Sequence, residues 1–250
     1  MRDIWAIIQA RTSSRRFPQK VIKEIEGLPA IVYVIRRVKY SKYGQNVCLA
    51  TSSESEDDIL EKIAKEENIS VFRGAKEDVL SRYYFAAKEL NAKDIVRITG
   101  DCVLIDPNII DKVADFYLRS RADYASNIHP PTFPDGLDVE VFSMHCLEHA
   151  YKVAKKRYQR EHVTPFIWEN KEIFKIANYA NDEDLSQMRW IVDEERDFRF
   201  VSEIYQRFKP RGIFFMEDIL GVLRKEQNLL NINAGIMRNE GFLRSLKDEN

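Results

Sequence analysis

Short apolar runs separated by amphipathic stretches constrain this chain more than any other feature. Ile4 to Ile8, Asn46 to Ala50, Ile69 to Phe72 and Asp94 to Ile98 are all of strand length. The unbroken apolar character of the first is that of a strand covered on both faces. Between these runs lie Pro29 to Val38, Asp57 to Glu67 and Glu77 to Leu90, each of helical length. In the second, Ile59, Leu60 and Ile63 share one helical face; the first is expected to expose Arg36, Arg37 and Lys39. Pro107 opens another helix, and Asp106 just before it is well placed as the cap. Strands alternating with helices fold as an α/β protein with a mostly parallel central sheet and helices on both faces.

The pattern changes after about Tyr124. The prolines of His129-Pro130-Pro131-Thr132-Phe133-Pro134-Asp135-Gly136 exclude regular structure and make a loop. Leu137 to Phe142 alternates like a strand and sets Asp138 and Glu140 on one face. That face suits a hydroxyl-rich ligand and equally suits an exposed edge. Two or three helices, a strand from Met188 to Val192 and further helices complete the chain. With no repeat and no low-complexity linker, the expectation is one α/β core carrying an inserted lobe.

Charge decides where phosphates can bind. The chain has 39 basic and 40 acidic residues and a formal net charge of -1. No bulk field captures nucleic acid or an anionic membrane, so any phosphate site must be a local cluster. Cys48, Cys102 and Cys146 are odd in number and lack CxxC spacing, as in a reducing compartment. The apolar run at the N-terminus is too short for a signal core and no stretch approaches a transmembrane span, so a cytoplasmic location is expected.

One such cluster follows the first strand, in the loop from Ala10 to Lys20. It carries Arg11, Arg15, Arg16 and Lys20 where a strand end opens into the crevice of an α/β sheet. Arginine forks and a lysine ammonium hold polyphosphates, although a solvated basic loop has the same composition. The GxxxxGK[ST] and GxGxxG signatures are absent. Thr99-Gly100-Asp101 ends another apolar strand and aims a carboxylate at the same crevice, as a magnesium site requires. Because Asp106 is the better cap, Asp101 is left for a ligand. Asp193 repeats the arrangement after Trp190-Ile191-Val192, and it is also a plausible helix cap.

Weaker signals have plain structural readings. His145, Cys146 and His149 have partial zinc spacing without a second pair. Cys102 reads as a small buried thiol, and Tyr83, Tyr84 and Phe85 read as core. His162, with Arg160 and Glu161, fits either an acceptor contact or a surface helix.

Taken together, IIQARTSSRRFPQK, VFRGAKEDVLSRY, VRITGDCVLIDPNIID, FPDGLDVEVFS, REHVTPFI and MRWIVDEERDF are specific. In this order they resemble the CMP-Kdo synthetase-like cytidylyltransferases, nearest to the spore coat polysaccharide branch. The resemblance implies a nucleotide-diphospho-sugar transferase (Rossmann-like) fold. It also implies transfer of CMP from CTP to a sugar-like acceptor, with Mg2+ as cofactor and a homodimer as the assembly. Residues 1–125 would then form the nucleotide part, 126–190 the acceptor and dimer lobe, and 191–250 the C-terminal helices. Ala10, Arg11, Ser14, Arg16 and Lys20 would bind the triphosphate, and Asp101 and Asp193 the metal. Arg73, Gly74, Asp78 and Arg82 would form a wall on the nucleotide or acceptor side. Asp138, Glu140, Arg160, Glu161 and His162 would face the acceptor. Two positions depart from the family pattern: Gln19 stands where Gly is usual, and Val103 where Pro is usual. A glycosyltransferase on the same fold and a silent nucleotide-binding partner are the other readings. The triphosphate-type loop disfavours the first, and the intact Asp101, Asp193, Arg16 and Lys20 disfavour the second.

Overall fold

The computed structural model describes residues 3–14, 16–209 and 212–249. Its strands are β1 (Ile4–Gln9), β2 (Glu24–Ile25), β3 (Leu28–Pro29), β4 (Val47–Ser52), β5 (Ser70–Gly74), β6 (Asp94–Thr99), β7 (Tyr124–Ser126), β8 (Glu140–Ser143) and β9 (Ile176–Asn178). Its helices are α1 (Ala30–Tyr40), α2 (Asp58–Glu66), α3 (Val79–Glu89), α4 (Pro107–Ser120), α5 (Met144–Val153), α6 (Arg157–His162), α7 (Pro165–Glu169), α8 (Glu195–Phe208), α9 (Met216–Lys225) and α10 (Glu240–Lys247). None of the described helices is long and apolar enough to cross a membrane.

One sheet runs in the order β5-β4-β1-β6-β8-β7-β9. The first four of these are parallel, β8 is antiparallel to both β6 and β7, and β9 is parallel to β7. The twofold side-chain period of a strand explains why these segments are apolar throughout. Ile4, Ala6 and Ile8 of β1 enter one core with α1, α4, α8 and α9. Ile7 enters the other, with α3, α5 and α7. Val47 and Leu49 of β4 divide from Cys48 and Ala50 in the same way. Each buried aliphatic side chain contributes about 1.5–3 kcal/mol.

The strand order fixes the location of the site. From β1 the chain steps outward through β4 to β5, then returns to β6 on the other side of β1. The carboxyl ends of β1 and β6 therefore flank a topological switch point, where an open α/β sheet has its crevice. Gly100 is required there: a Cβ would lie 2.9 Å from both the Ala10 Cβ and the Gln9 carbonyl.

Several expectations need correction. Met188 to Val192 is not a strand. Trp190 and Val192 are buried, but the pairing is a single bridge between Asp135 and Arg189. Gly136, at φ +105°, lets the loop pack on this segment so closely that a Cβ would lie 2.6 Å from the Ile191 nitrogen. The strand expected over Leu137 to Phe142 begins at Glu140, so Asp138 lies in the approach to it. β8 is an interior strand between β6 and β7, which rules out the exposed edge. Arg37 is buried rather than exposed, because its guanidinium donates to the Ile105 and Phe214 carbonyls and stacks on the Phe214 ring. Tyr83 is core as expected, while Phe85 on the same helix is exposed.

Candidate active site

The loop after β1 is held from behind. Thr12 donates from its amide and its hydroxyl to Asp57 Oδ1, each at 2.7 Å. Burial alone would raise the Asp57 pKa; hydrogen bonds from Ser52 and Thr12 outweigh it and hold the carboxylate below its ordinary value. Further along, Gln19 adopts φ 60° in the left-handed region. Glycine reaches this conformation freely and other residues only at a cost, which explains why the family pattern has Gly there. The turn delivers Lys20 inward. Arg15 lies outside the described residues.

Lys20 is the centre of the site. Its Nζ is 2.6 Å from Asp101 Oδ2 and 2.7 Å from Asp193 Oδ1. Burial disfavours the ammonium, but Asp101 and Asp193 outweigh it and raise its pKa. Burial would likewise raise Asp193; Lys20 reverses this and, with Arg16 and Arg189, brings it down to about 2. Arg16 Nη2 lies 2.7 Å from Asp193 Oδ2.

Neither aspartate caps a helix. Asp106 accepts from the Asn108 amide at 2.7 Å and begins α4. Glu194 caps α8 in a reciprocal box with Asp197. Asp197 also accepts from the Asp193 amide and takes both ends of the Arg189 guanidinium, each at 2.9 Å. The Val192 amide donates to the Asp101 carbonyl at 3.0 Å. These bonds join two segments that are remote in sequence, so that both carboxylates converge on one cation.

A cavity of about 790 Å³ opens in front of them. Arg82 on its wall is only 2% exposed. Its Nε and Nη1 have no hydrogen-bond partner among the described residues. Burial pulls its pKa down to about 10. A buried guanidinium with free donors is costly unless a ligand completes it.

Across the cavity, Glu140 accepts from the Tyr124 and Thr164 hydroxyls, both at 2.6 Å, and pairs with Arg97. Arg97 Nε donates to Gln9 Oε1 at 3.2 Å. Asp138 is 2.6 Å from Arg238 Nη2. Burial is the main cause of its pKa rising to about 7; Arg238 opposes the rise, and Asp135, Glu140 and Asp101 add to it. His162 is pushed down to about 4, chiefly by burial, and stays neutral.

The profile of the cytidylyltransferase family matches residues 5–236. The chain belongs to the cytidylyltransferase family. Two relatives match over nearly the full length. An uncharacterized protein of Methanocaldococcus jannaschii is 35% identical over 93% of this chain and 95% of its own. The spore coat polysaccharide biosynthesis protein SpsF of Bacillus subtilis is 28% identical over 90% and 95%. Among solved structures, a cytidylyltransferase from Leptospira borgpetersenii superposes with TM-score 0.88, at 34% identity, over 95% of this chain and 100% of that one. A CMP:2-keto-3-deoxy-manno-octonic acid synthetase complexed with CTP shares the fold, with TM-score 0.63 at 14% identity over 82% and 98%. So does a Mycobacterium tuberculosis protein in complex with manganese, with TM-score 0.58 at 12% identity over 80% and 98%.

In this cytidylyltransferase the cavity gathers Ala10, Arg11, Ser14, Arg16, Lys20, Arg82, Asp101 and Asp193, together with Asp138, Glu140, Glu161 and His162. It does not gather Arg73, Gly74, Asp78 or Arg160. Arg73 is engaged by Asp58 and Glu61 of α2 at 2.6 and 2.9 Å. Asp78 caps α3 through the Ser81 amide and binds Arg160 at 2.6 Å, so each occupies the other. Glu140 lines the cavity, but Arg97, Tyr124 and Thr164 already engage its oxygens. Cys146 donates to the Asp123 carbonyl, and His149 packs on Phe166 and Phe174. Sequence reasoning missed Asp57, Arg97, Trp168 and Arg238. A lone arginine or tryptophan carries no local spacing signal, and each reaches the cavity only through tertiary packing.

Proposed function

We propose that this cytidylyltransferase transfers CMP from CTP to a hydroxyl of a sugar or sugar acid, with release of pyrophosphate, in surface polysaccharide synthesis. The observation that carries this reading is the convergence of Asp101 and Asp193 on one cation beside the basic loop. The names of SpsF and of the CTP-bound synthetase support the acceptor class.

Two carboxylates aimed at one point, with remaining coordination left to phosphate and water, suit Mg2+. Asp101 and Asp193 would hold the ion, which when bound would screen phosphate charge and polarise the α-phosphorus. Arg11, Arg16 and Lys20 bind the β- and γ-phosphates and stabilise the charge that grows on the leaving pyrophosphate. Arg82 offers its free donors to the nucleotide base, where two acceptors of cytosine satisfy them. Asp138, with a pKa near neutrality, takes the proton of the attacking hydroxyl. Arg97, fixed by Glu140, and neutral His162 orient the acceptor. A cytoplasmic homodimer paired through the segment after Pro130 belongs to the same reading, and light scattering tests the dimer.

Calorimetry with CTP, UTP, ATP and GTP in magnesium tests the nucleotide, with CTP expected to bind tightest. Equal affinity for all four would remove the cytidylyl donor. Pyrophosphate release across a panel of neutral, amino and acidic sugars then identifies the acceptor.

A further inference from the structure

The family match ends at residue 236, yet the chain continues and sets α10 against the cavity, which Gly241, Phe242 and Ser245 help to line. Phe242 sets its ring against His162, Trp168 and Tyr158, with centroids 5.2, 5.9 and 6.0 Å away. Ser245 Oγ meets His162 Nε2 at 3.1 Å. Glu249 accepts from the amides of Arg157 and Tyr158, at the start of α6. One further contact reaches the phosphate loop: Glu240 Oε2 lies 3.1 Å from Arg16 Nη1.

The docking is shallow. No residue of α10 is fully buried, and Met237 and Leu243 are 64% and 40% exposed. An eight-residue helix has no stability of its own in water, so it persists only while these contacts hold it. Gly235, in the left-handed region with open space around its α-carbon, supplies a pivot before it.

We propose that α10 is an autoinhibitory latch whose Glu240 carboxylate occupies Arg16 in place of a triphosphate oxygen. This rests on Arg16 being a triphosphate ligand. A carboxylate and a phosphate compete for the same guanidinium donors, so Mg-CTP binds the undocked state and pushes α10 off. Apparent CTP affinity is the intrinsic affinity multiplied by the fraction of molecules in which the latch is open. The ion pair is part-exposed, 23% for Arg16 and 38% for Glu240, so its effect is modest, about two- to fivefold in Kd.

Hydrogen exchange on the full chain, with and without Mg-CTP, tests displacement. Faster exchange of the 240–247 amides on adding Mg-CTP is expected; protection, or no change while CTP binds, overturns the latch. Calorimetry tests the competition. Glu240→Gln removes the competing charge, and Phe242→Ala loosens the docking without touching that charge. Each should tighten Mg-CTP about two- to fivefold, and the Glu240→Gln gain should vanish in an Arg16→Gln background. Unchanged affinity in both single variants, with CTP binding intact, overturns the latch alone. Undiminished CTP binding in Arg16→Gln removes the triphosphate role of Arg16, and the latch with it.

Discussion

On the side of the cavity that holds Lys20, the side chains follow directly from the ends of β1 and β6. Lys20 and Asp101 are delivered by the turns after those strands, and Asp193 is carried to them by Arg189 and Asp197. On the opposite side, Gln9, Arg97, Tyr124, Glu140 and Thr164 form one network drawn from four strands and the start of α7. The first side pairs its two carboxylates through one buried lysine, whereas the second satisfies its charges within the network. In the proposed function, a side that exchanges phosphate and metal keeps its carboxylates paired by a group that the ligand displaces. A wall that must hold shape satisfies its charges within the protein.

The largest effect expected on this contrast is at the carboxylate pair. Asp101→Asn or Asp193→Asn should lower turnover about 10²- to 10³-fold, measured as pyrophosphate release at saturating magnesium. Two carboxylates facing each other bare would give a melting temperature that rises in these variants. Lys20 already stands between them, so stability should instead fall, by about 2 kcal/mol in Asp193→Asn, which gives up the lowered carboxylate pKa. Near-native turnover in both variants would end the metal assignment.

Next, Asp138→Asn and Glu140→Gln should separate chemistry from scaffold. Turnover of the native protein should fall below about pH 7 as Asp138 takes up a proton. Asp138→Asn should lose that acid limb and about 10²-fold in rate. Glu140→Gln leaves buried Arg97 without its countercharge and should lower urea stability by about 3 kcal/mol, while CTP affinity holds. If the acid limb survives in Asp138→Asn, the base is some other group.

A smaller effect follows from pH in EDTA. Asp193 is held at about 2, against an ordinary value of 3.8. A depressed carboxylate contributes stability above its unfolded pKa and loses it as pH falls through the folded one. Unfolding free energy should therefore drop by about 2 kcal/mol between pH 4 and pH 2 in excess of that of Asp193→Asn. Parallel curves for the two proteins would show that the Lys20 pairing contributes nothing to folding.

Smallest is Arg82→Met. Removing an unsatisfied buried guanidinium should raise the melting temperature by about 2–4 °C. The same change should weaken CTP about tenfold, as loss of a charged hydrogen bond does. Lower stability with unchanged CTP binding would make Arg82 a packing residue.

Sequence alone carried the strands of the parallel half, the basic loop, Asp101 and the cap role of Asp106. Each follows from local rules: period-two apolarity, a strand end opening into a crevice, and proline at a helix start. It misjudged Met188 to Val192, because burial of Trp190 and Val192 mimics a strand whether or not a partner strand lies alongside. It also could not tell that Asp78 and Arg160 satisfy each other, or that Glu140 is engaged by Arg97. Only the tertiary structure decided those, as it decided that residues beyond the family match reach back over the cavity. An ion pair between residues far apart in the chain leaves no periodic trace in either segment. Its energy appears only when packing removes water and brings the two charges within hydrogen-bond distance.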